Sequence, residues 1–342
     1  MKLIIQIPCF NEREHLGATI ADLPRHVPGV DRIEVLVIDD GSTDATLEAA
    51  RAAGAHYIVR IKHNQGLAHA FMRGIDAALA LGADLLVNTD ADNQYRGGDI
   101  AELVRPVIEG HADMVVGDRQ TDTLKHLSLP RRWLQRWGSR LVRTVSGTQV
   151  ADSTSGFRAF NRRAMSQVFV HNRFTYTIET LIQAGRMGLT IRNVKIATNP
   201  QTRESRLFKS VFQYLRRAGP TIFRAYAMYR PVQTFSYVAA ALFLVGAGAV
   251  GRFLVLHWLR PEYSGHTQSL VLGVGCIILA FMVGLVAVLS ELLAANRRLL
   301  EELIGRVRRL DAELGQRKAR NTGDIEATGA EPWTSEASRG RS

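Results

Sequence analysis

Cysteine is almost missing from this chain: Cys9 and Cys276 are its only two among 342 residues. One sits in a presumed site and one inside an apolar run, which excludes a disulfide framework and fits a reduced compartment. Acid is short as well, with 32 Asp and Glu against 43 Lys and Arg and a net charge of +11. An excess of base suits nucleic acid, anionic lipid or phosphorylated substrates, and its position must choose among them. The N-terminus has no basic leader or small-residue cleavage site and runs from Lys2 straight into an apolar strand, so no signal peptide is expected. Charge itself is missing from Ser269 to Ser290 and, except for Arg252, from Val232 to Leu259. Runs of that length cross ~30 Å of hydrocarbon at about 1.5 Å per residue.

What is present is acid at the ends of apolar strands. Leu85-Leu86-Val87-Asn88-Thr89 runs into Asp90-Ala91-Asp92-Asn93-Gln94. In extended chain, residues i and i+2 share a face, so Asp90 and Asp92 can converge. Two hard oxygen ligands suit Mg²⁺ or Mn²⁺ with positions left open for phosphates. An ordinary turn after a strand uses the same residue types. Upstream, Glu34 to Ile38 is an apolar run without alternation, as in a parallel sheet covered on both faces, and it ends in Asp39-Asp40-Gly41-Ser42-Thr43-Asp44. Ser42, Thr43 or Asp44 can cap the Ala-rich helix that follows. Capping does not explain two adjacent acids before the glycine, which can accept hydrogen bonds from a base or ribose. The first strand, Lys2 to Ile7, ends in Pro8-Cys9-Phe10-Asn11-Glu12. Three strand ends of this kind belong on one edge of a sheet.

These motifs, with Asn64-Gln65-Gly66 and Asp152-Ser153-Thr154-Ser155-Gly156-Phe157-Arg158, occur in an order that resembles the inverting GT-A glycosyltransferases. The resemblance is to the polyprenyl-phosphate hexose synthase branch, which includes dolichyl-phosphate mannose synthase and bactoprenol glucosyltransferase, and it covers roughly residues 1–210. It implies an α/β fold: a Rossmann-like, mostly parallel GT-A catalytic domain followed by a two-helix transmembrane hairpin. It also implies one hexose moved, with inversion, from a nucleotide sugar of the GDP-mannose or UDP-glucose type to a polyprenyl phosphate lipid. By the same resemblance, Asp90, Asp92 and Gln94 would hold the metal. Pro8, Phe10, Glu12, Asp39, Asp40, Asp90, Ala91, Asp92, Gln94 and Arg119 would line the donor. Arg131, Arg132, Arg203 and Arg206 would bind the acceptor phosphate. The chain departs from the family pattern at Phe10, where Tyr is common, and at Asp118 and Gln135, where Ser is expected.

Asp152 admits two roles. It can act as base in members that glycosylate a hydroxyl, or it can organise the Ser155-Gly156-Phe157-Arg158 turn. A phosphate acceptor needs no base, because its second pKa is near ~6; it needs cations that fix it in line. Two further readings stay open: an enzyme with a hydroxyl-bearing lipid or glycan acceptor, and a catalytically dead membrane scaffold. A nucleotidyltransferase should carry a G-x-G-T-R loop after the first strand, where this chain has Pro8-Cys9-Phe10-Asn11.

The organisation expected is a catalytic domain over 1–205, amphipathic juxtamembrane helices over 206–230, two spans within 231–292, an amphipathic helix over 293–313 and a disordered tail over 314–342. Gly246, Gly248, Gly251, Gly273, Gly275 and Gly284 suit close helix packing in lipid. Arg203, Arg206, Lys209, Arg216, Arg217, Arg224 and Arg230 precede the hairpin, and Arg297, Arg298, Arg306, Arg308 and Arg309 follow it. The hairpin loop carries only Arg260, so the catalytic domain and both termini are expected on the cytoplasmic side of a cell membrane. Aromatics interleaved with base over 206–230 suit an anionic leaflet, and no nucleic-acid partner is expected. The leucine stripe over 291–313 fits a membrane surface or a neighbouring subunit in a homo-oligomer.

Overall fold

The computed structural model describes residues 1–119, 150, 152–170, 176–199, 231–259, 267–318 and 325–334. The first apolar run forms β1 (Lys2–Cys9) and the second forms β2 (Arg32–Asp39), paired in parallel from Lys2↔Arg32 to Cys9↔Asp39. β3 (Tyr57–Arg60) joins β2, and β4 (Leu85–Asn88) joins β1, both in parallel. β5 (Met114–Asp118), β6 (Arg158–Asn161) and β7 (Ile191–Lys195) extend the β4 side, with β6 antiparallel to both neighbours. The four central strands are therefore parallel, and the carboxyl ends of β1, β2 and β4 share one edge, as the sequence indicates.

The central strands are apolar along both faces because both are covered. Ile4, Leu36, Ile38 and Leu86 face α3 (Leu67–Ala80) through Phe71 and Ile75. Leu3, Ile5, Val35 and Val37 face α1 (Leu16–Asp22) and α4 (Ile100–Ile108) through Leu16, Ile20, Leu103 and Val104. Among the described residues, the other α-helices of this region are α2 (Thr46–Ala52), α5 (Arg162–Gln167) and α6 (Thr177–Arg186).

Two long helices follow, α7 (Pro231–Leu259) and α8 (Thr267–Lys318). Each contains a stretch long and apolar enough to cross a membrane, Val232–Leu259 and Thr267–Asn296. They touch at two of the six hairpin glycines. A Cβ on Gly246 would lie 2.8 Å from the Gly273 carbonyl oxygen, and one on Gly273 would lie 2.9 Å from that of Gly246. At Gly248, Gly251, Gly275 and Gly284 a Cβ would meet nothing within 4 Å, so these four are not packing glycines within the hairpin.

The expected boundaries change at the C-terminus. Two compact units are present: Met1–Arg206 with Glu301–Ser342, and Leu207–Leu300. The helix expected over 293–313 is the uninterrupted continuation of α8. The tail expected to be disordered is partly ordered, as β8 (Ile325–Ala327) and β9 (Trp333–Thr334). β8 pairs antiparallel along the outer edge of β3, and β9 pairs with β2 at Arg32 and Ile33, below the point where β3 begins. An open sheet edge supplies the partner that a polar, three-residue strand cannot reveal by its own pattern. Arg51 grips Glu326 through two hydrogen bonds, of 2.9 and 3.0 Å. His56 fixes β9: Val35 N–H donates to Nδ1, and Nε2–H donates to the Glu331 carbonyl at 2.9 Å. Trp333 packs edge-on against the His56 ring and lies under the Arg25 guanidinium.

Candidate active site

β4 ends at Asn88, two residues before Asp90. The acidic pair therefore sits on a turn instead of an extended strand, and Asn93 closes that turn with φ 55°, a conformation Asn tolerates better than most residues. The two carboxylates still interact. Asp90 is pushed up to about 6, first by burial and then by the charge of Asp92. Arg119 and Arg158 oppose that rise, and Glu12 adds to it. Asp92 Oδ1 accepts the Gln94 N–H, which folds the turn back.

At the end of β2 the two neighbouring acids do different things. Asp40 accepts Gln65 N–H at 2.9 Å and Gly66 N–H at 2.8 Å, so both its oxygens brace the Asn64-Gln65-Gly66 loop. That loop passes so close to Gly41 that a Cβ there would lie 2.8 Å from Asn64 N. Asp39 accepts Ser42 N–H through Oδ1, while its buried Oδ2 has no hydrogen-bond partner. An orphaned buried carboxylate oxygen is costly unless a ligand satisfies it. Asn11, with φ 53°, ties the β1 end to this loop: its Oδ1 accepts Thr43 N–H, and its own N–H donates to Ser42 Oγ. Asp44 Oδ1 accepts Thr46 N–H just ahead of α2, whose N-cap position is Ala45 and has no side-chain cap. Burial, then Asp39, Glu12, Asp44 and Asp40, push the Cys9 thiol well above its usual range. The charge of Glu12 thus acts on both Cys9 and Asp90. Phe10 is exposed, whereas Pro8 and Ala91 are buried.

Arg119 and Asp152 hold each other. Nε donates to Oδ2 at 2.7 Å and a terminal nitrogen donates to Oδ1 at 3.1 Å. The same nitrogen reaches Thr154 Oγ1 at 2.8 Å. Asp152 Oδ1 also accepts Thr154 N–H, Thr154 Oγ1–H and Ser155 N–H. Burial would raise this carboxyl, but Arg119 and Thr154 hold it below its ordinary range. Arg131, Arg132, Arg203 and Arg206 lie outside the described residues.

Beneath the acidic pair runs a polar network that the sequence motifs do not reveal. Gln6 and Asn88, level with each other on β1 and β4, join through Gln6 Nε2–H to Asn88 Oδ1 at 2.8 Å. Asn88 Nδ2 donates to the Gly156 carbonyl and to Tyr176 Oη. Gly156 N–H donates to Tyr95 Oη, and Tyr95 stacks on Phe157. Arg158, fully buried, donates to the Ser155 and Ser153 carbonyls and to Thr180. A Cβ on Gly156 would lie 3.0 Å from Asp90 Oδ1, so the glycine lets this turn press against the acidic pair. The signal that could have found the network is a single amide in each of two apolar strands.

Among the described residues, no three His, Cys, Asp or Glu form one metal-holding group. A pair of carboxylates, one of them destabilised by burial and by the other's charge, fits a divalent cation that takes its remaining ligands from a substrate's phosphates. The same edge would otherwise repel an anionic diphosphate.

The sequence model of the family described as glycosyl transferase family 2 matches residues 4–169. The undecaprenyl-phosphate mannosyltransferase of Micrococcus luteus is 30% identical over 207 residues, which is 57% of this chain and 83% of that protein. The dolichyl-phosphate hexose transferase of Haloferax volcanii is 30% identical over 210 residues, 60% of this chain and 86% of its own length. The glucosyl-3-phosphoglycerate synthase of Mycobacterium tuberculosis, solved with Mn²⁺, UDP-glucose and phosphoglyceric acid, shares the fold with a TM-score of 0.50 and 21% identity. That match covers 66% of this chain and 77% of the other.

Proposed function

Starting from the fact that this chain belongs to glycosyl transferase family 2, we propose that it transfers one hexose from a nucleotide sugar to a polyprenyl phosphate at the cytoplasmic face of a membrane. It is a glycosyltransferase with a GT-A catalytic domain; the acceptor, the inversion and the metal belong to the proposal. The observation that carries it is the Asp90–Asp92 pair on an acidic sheet edge, in a chain that also has two membrane-length helices.

The free Oδ2 of Asp39 suits an N–H or hydroxyl of the nucleoside. Asp90 and Asp92, with Gln94 beside them, would hold Mg²⁺ or Mn²⁺, which supplies charge neutralisation for the departing diphosphate. The Tyr95–Gly156–Asn88 network keeps the Asp90 loop in place without a contribution from substrate. The acceptor's phosphate oxygen attacks the anomeric carbon as the bond to the diphosphate breaks on the opposite face, which gives inversion. No proton has to be removed. The state of Asp152 supports this acceptor over a hydroxyl, because a carboxylate filled by Arg119, Thr154 and Ser155 is a poor base. Arg131, Arg132, Arg203 and Arg206 are proposed to fix the phosphate. Both flanks of the hairpin on one side of the membrane is a reading supported by β8 and β9, which return to the sheet that the N-terminus builds. The basic flanks make that side the cytoplasm.

The test incubates membranes containing the chain with a panel of radiolabelled nucleotide sugars, polyprenyl phosphate and Mg²⁺ or Mn²⁺. Organic-soluble label that disappears with EDTA is the expected result. Label that enters only hydroxyl acceptors, or none with any donor, would defeat the proposal.

A further inference from the structure

We propose that Asn199 is a positioning residue for the Asp90–Asp92 turn, holding it in the shape a cation needs; this rests on the reading of that pair as the cation site. The chain that leaves β7 straps the acidic turn to the sheet. Ile196 N–H donates to the Asp118 carbonyl at 3.0 Å, continuing the ladder with β5. Ala197 N–H donates to Asp99 Oδ2 at 2.7 Å, and Thr198 forms an antiparallel bridge with Tyr95. Asn199 makes the last two contacts. Its N–H donates to the Gln94 carbonyl at 2.9 Å, and its Nδ2 donates to the Asn93 carbonyl at 3.0 Å.

The turn is costly to hold. It brings two like charges together, Asn93 stands at φ 55°, and among the described residues the buried Asn93 Oδ1 has no hydrogen-bond partner. A backbone in that region persists only where its surroundings over-determine it. Here they do so through the carbonyls. That of Ala91 accepts Thr19 Oγ1–H at 2.9 Å, and those of Asn93 and Gln94 both accept from Asn199. None of these three bonds uses a carboxylate oxygen, so they fix the backbone that carries the acids and take nothing from the acids' capacity as ligands.

One residue thus clamps two successive carbonyls, with the backbone and the side-chain amide each supplying a donor. Removing the amide keeps the Gln94 contact and takes the donor from the carbonyl of Asn93, the residue at positive φ. A binding constellation must hold its geometry within about 0.5 Å. Without Asn199 the ordering of the turn would be drawn from the cation's own binding free energy.

The test titrates Mn²⁺ by calorimetry into the full chain in detergent with saturating UDP or GDP, for the parent, Asn199→Ala, Asp92→Asn and Asn161→Ala. Asn161 caps α5 through the Ala164 N–H and is paired with Leu85, at the other end of β4 from Asp90. Its loss lowers stability alone. Asn199→Ala should weaken Mn²⁺ binding roughly two- to tenfold, the range of one hydrogen bond, and should speed amide hydrogen exchange at residues 93–95 in the metal-free protein. Asn161→Ala should melt lower and bind Mn²⁺ as the parent does, and Asp92→Asn should bind none. If the parent binds Mn²⁺ through Asp92, the positioning role alone is overturned by unchanged affinity or exchange in Asn199→Ala, or by an equal loss of affinity in Asn161→Ala. Mn²⁺ binding absent from the parent, or untouched in Asp92→Asn, would overturn the cation site and the positioning role with it.

Discussion

Asp92→Asn should leave the fold intact and remove transfer, because it takes a charged ligand from the proposed cation site at a cost of several kcal/mol. Turnover near that of the parent with Mg²⁺ or Mn²⁺ present would refute the assignment. Asp90 makes a separate prediction. Its folded pKa, about 6, lies above the ordinary carboxylate value of 3.8. The folded state thus holds the proton more tightly, and the contribution of Asp90 to the stability of the metal-free protein should fall as pH rises from about 4 to about 6. The loss is at most roughly 3 kcal/mol at ~1.36 kcal/mol per pH unit, and less in practice because Asp90 keeps an edge to solvent. Asp90→Asn should melt higher than the parent at pH 7.5 without metal, should melt alike at pH 4, and should show no stabilisation by Mn²⁺. Thermal melts across that range check all three, and a melting difference between parent and Asp90→Asn that does not change between pH 4 and 7.5 would contradict the burial of Asp90 and its pairing with Asp92. For the acceptor, Arg131→Ala should lower kcat/KM for the lipid roughly ten- to a hundredfold, the effect of one lost charged hydrogen bond of ~1.5–3 kcal/mol. Equal loss of nucleotide affinity by calorimetry would move that arginine to the donor.

At the scale of elements, the C-terminal strands are held by a histidine that must be neutral. Burial lowers the pKa of His56, and Arg32 and Lys2 act in the same direction against Glu34 and the Glu331 carbonyl. Nδ1 can accept Val35 N–H only without its proton. Since the folded value lies below the unfolded one, the His56 contribution is complete above about pH 6.5 and is lost as pH falls through the folded value. Limited proteolysis should therefore release the segment 325–334 faster at pH 5 than at pH 7.5, and His56→Phe should remove that difference. Trp333→Ala should destabilise the unit by ~1–2 kcal/mol, from a half-buried aromatic with an edge contact and a cation over its face. The central strands were readable because an apolar run without alternation that stops at an acid suits a strand buried on both faces and meeting solvent at its end. β8 and β9 were not, because their order comes from the open edge of β3 and from pockets lined by Arg51, His56 and Arg25, with Arg51 and His56 about 275 positions from their partners in sequence. The division of labour between Asp39 and Asp40 was equally hidden: both are acids at one strand end, and only the approach of the 64–66 loop assigns one to bracing.

On the scale of the whole molecule, a tag at either end should be reached by protease only after the membrane is opened. Cleavage of both tags in intact cells would reverse the orientation, and cleavage of one alone would break the hairpin. The order of synthesis follows from the same C-terminal strands. A ribosome makes β2 and β3 early and β8 and β9 last, with both membrane-length helices in between. The catalytic sheet therefore leaves the ribosome with an uncovered edge, a template for wrong pairing. It is finished only when the hairpin has been delivered and β8 and β9 have been made. A nascent chain stalled at Lys318 should bind chaperone and digest readily, while one extended past Thr334 should not, so a defect in membrane insertion would first show as a defect in the catalytic sheet.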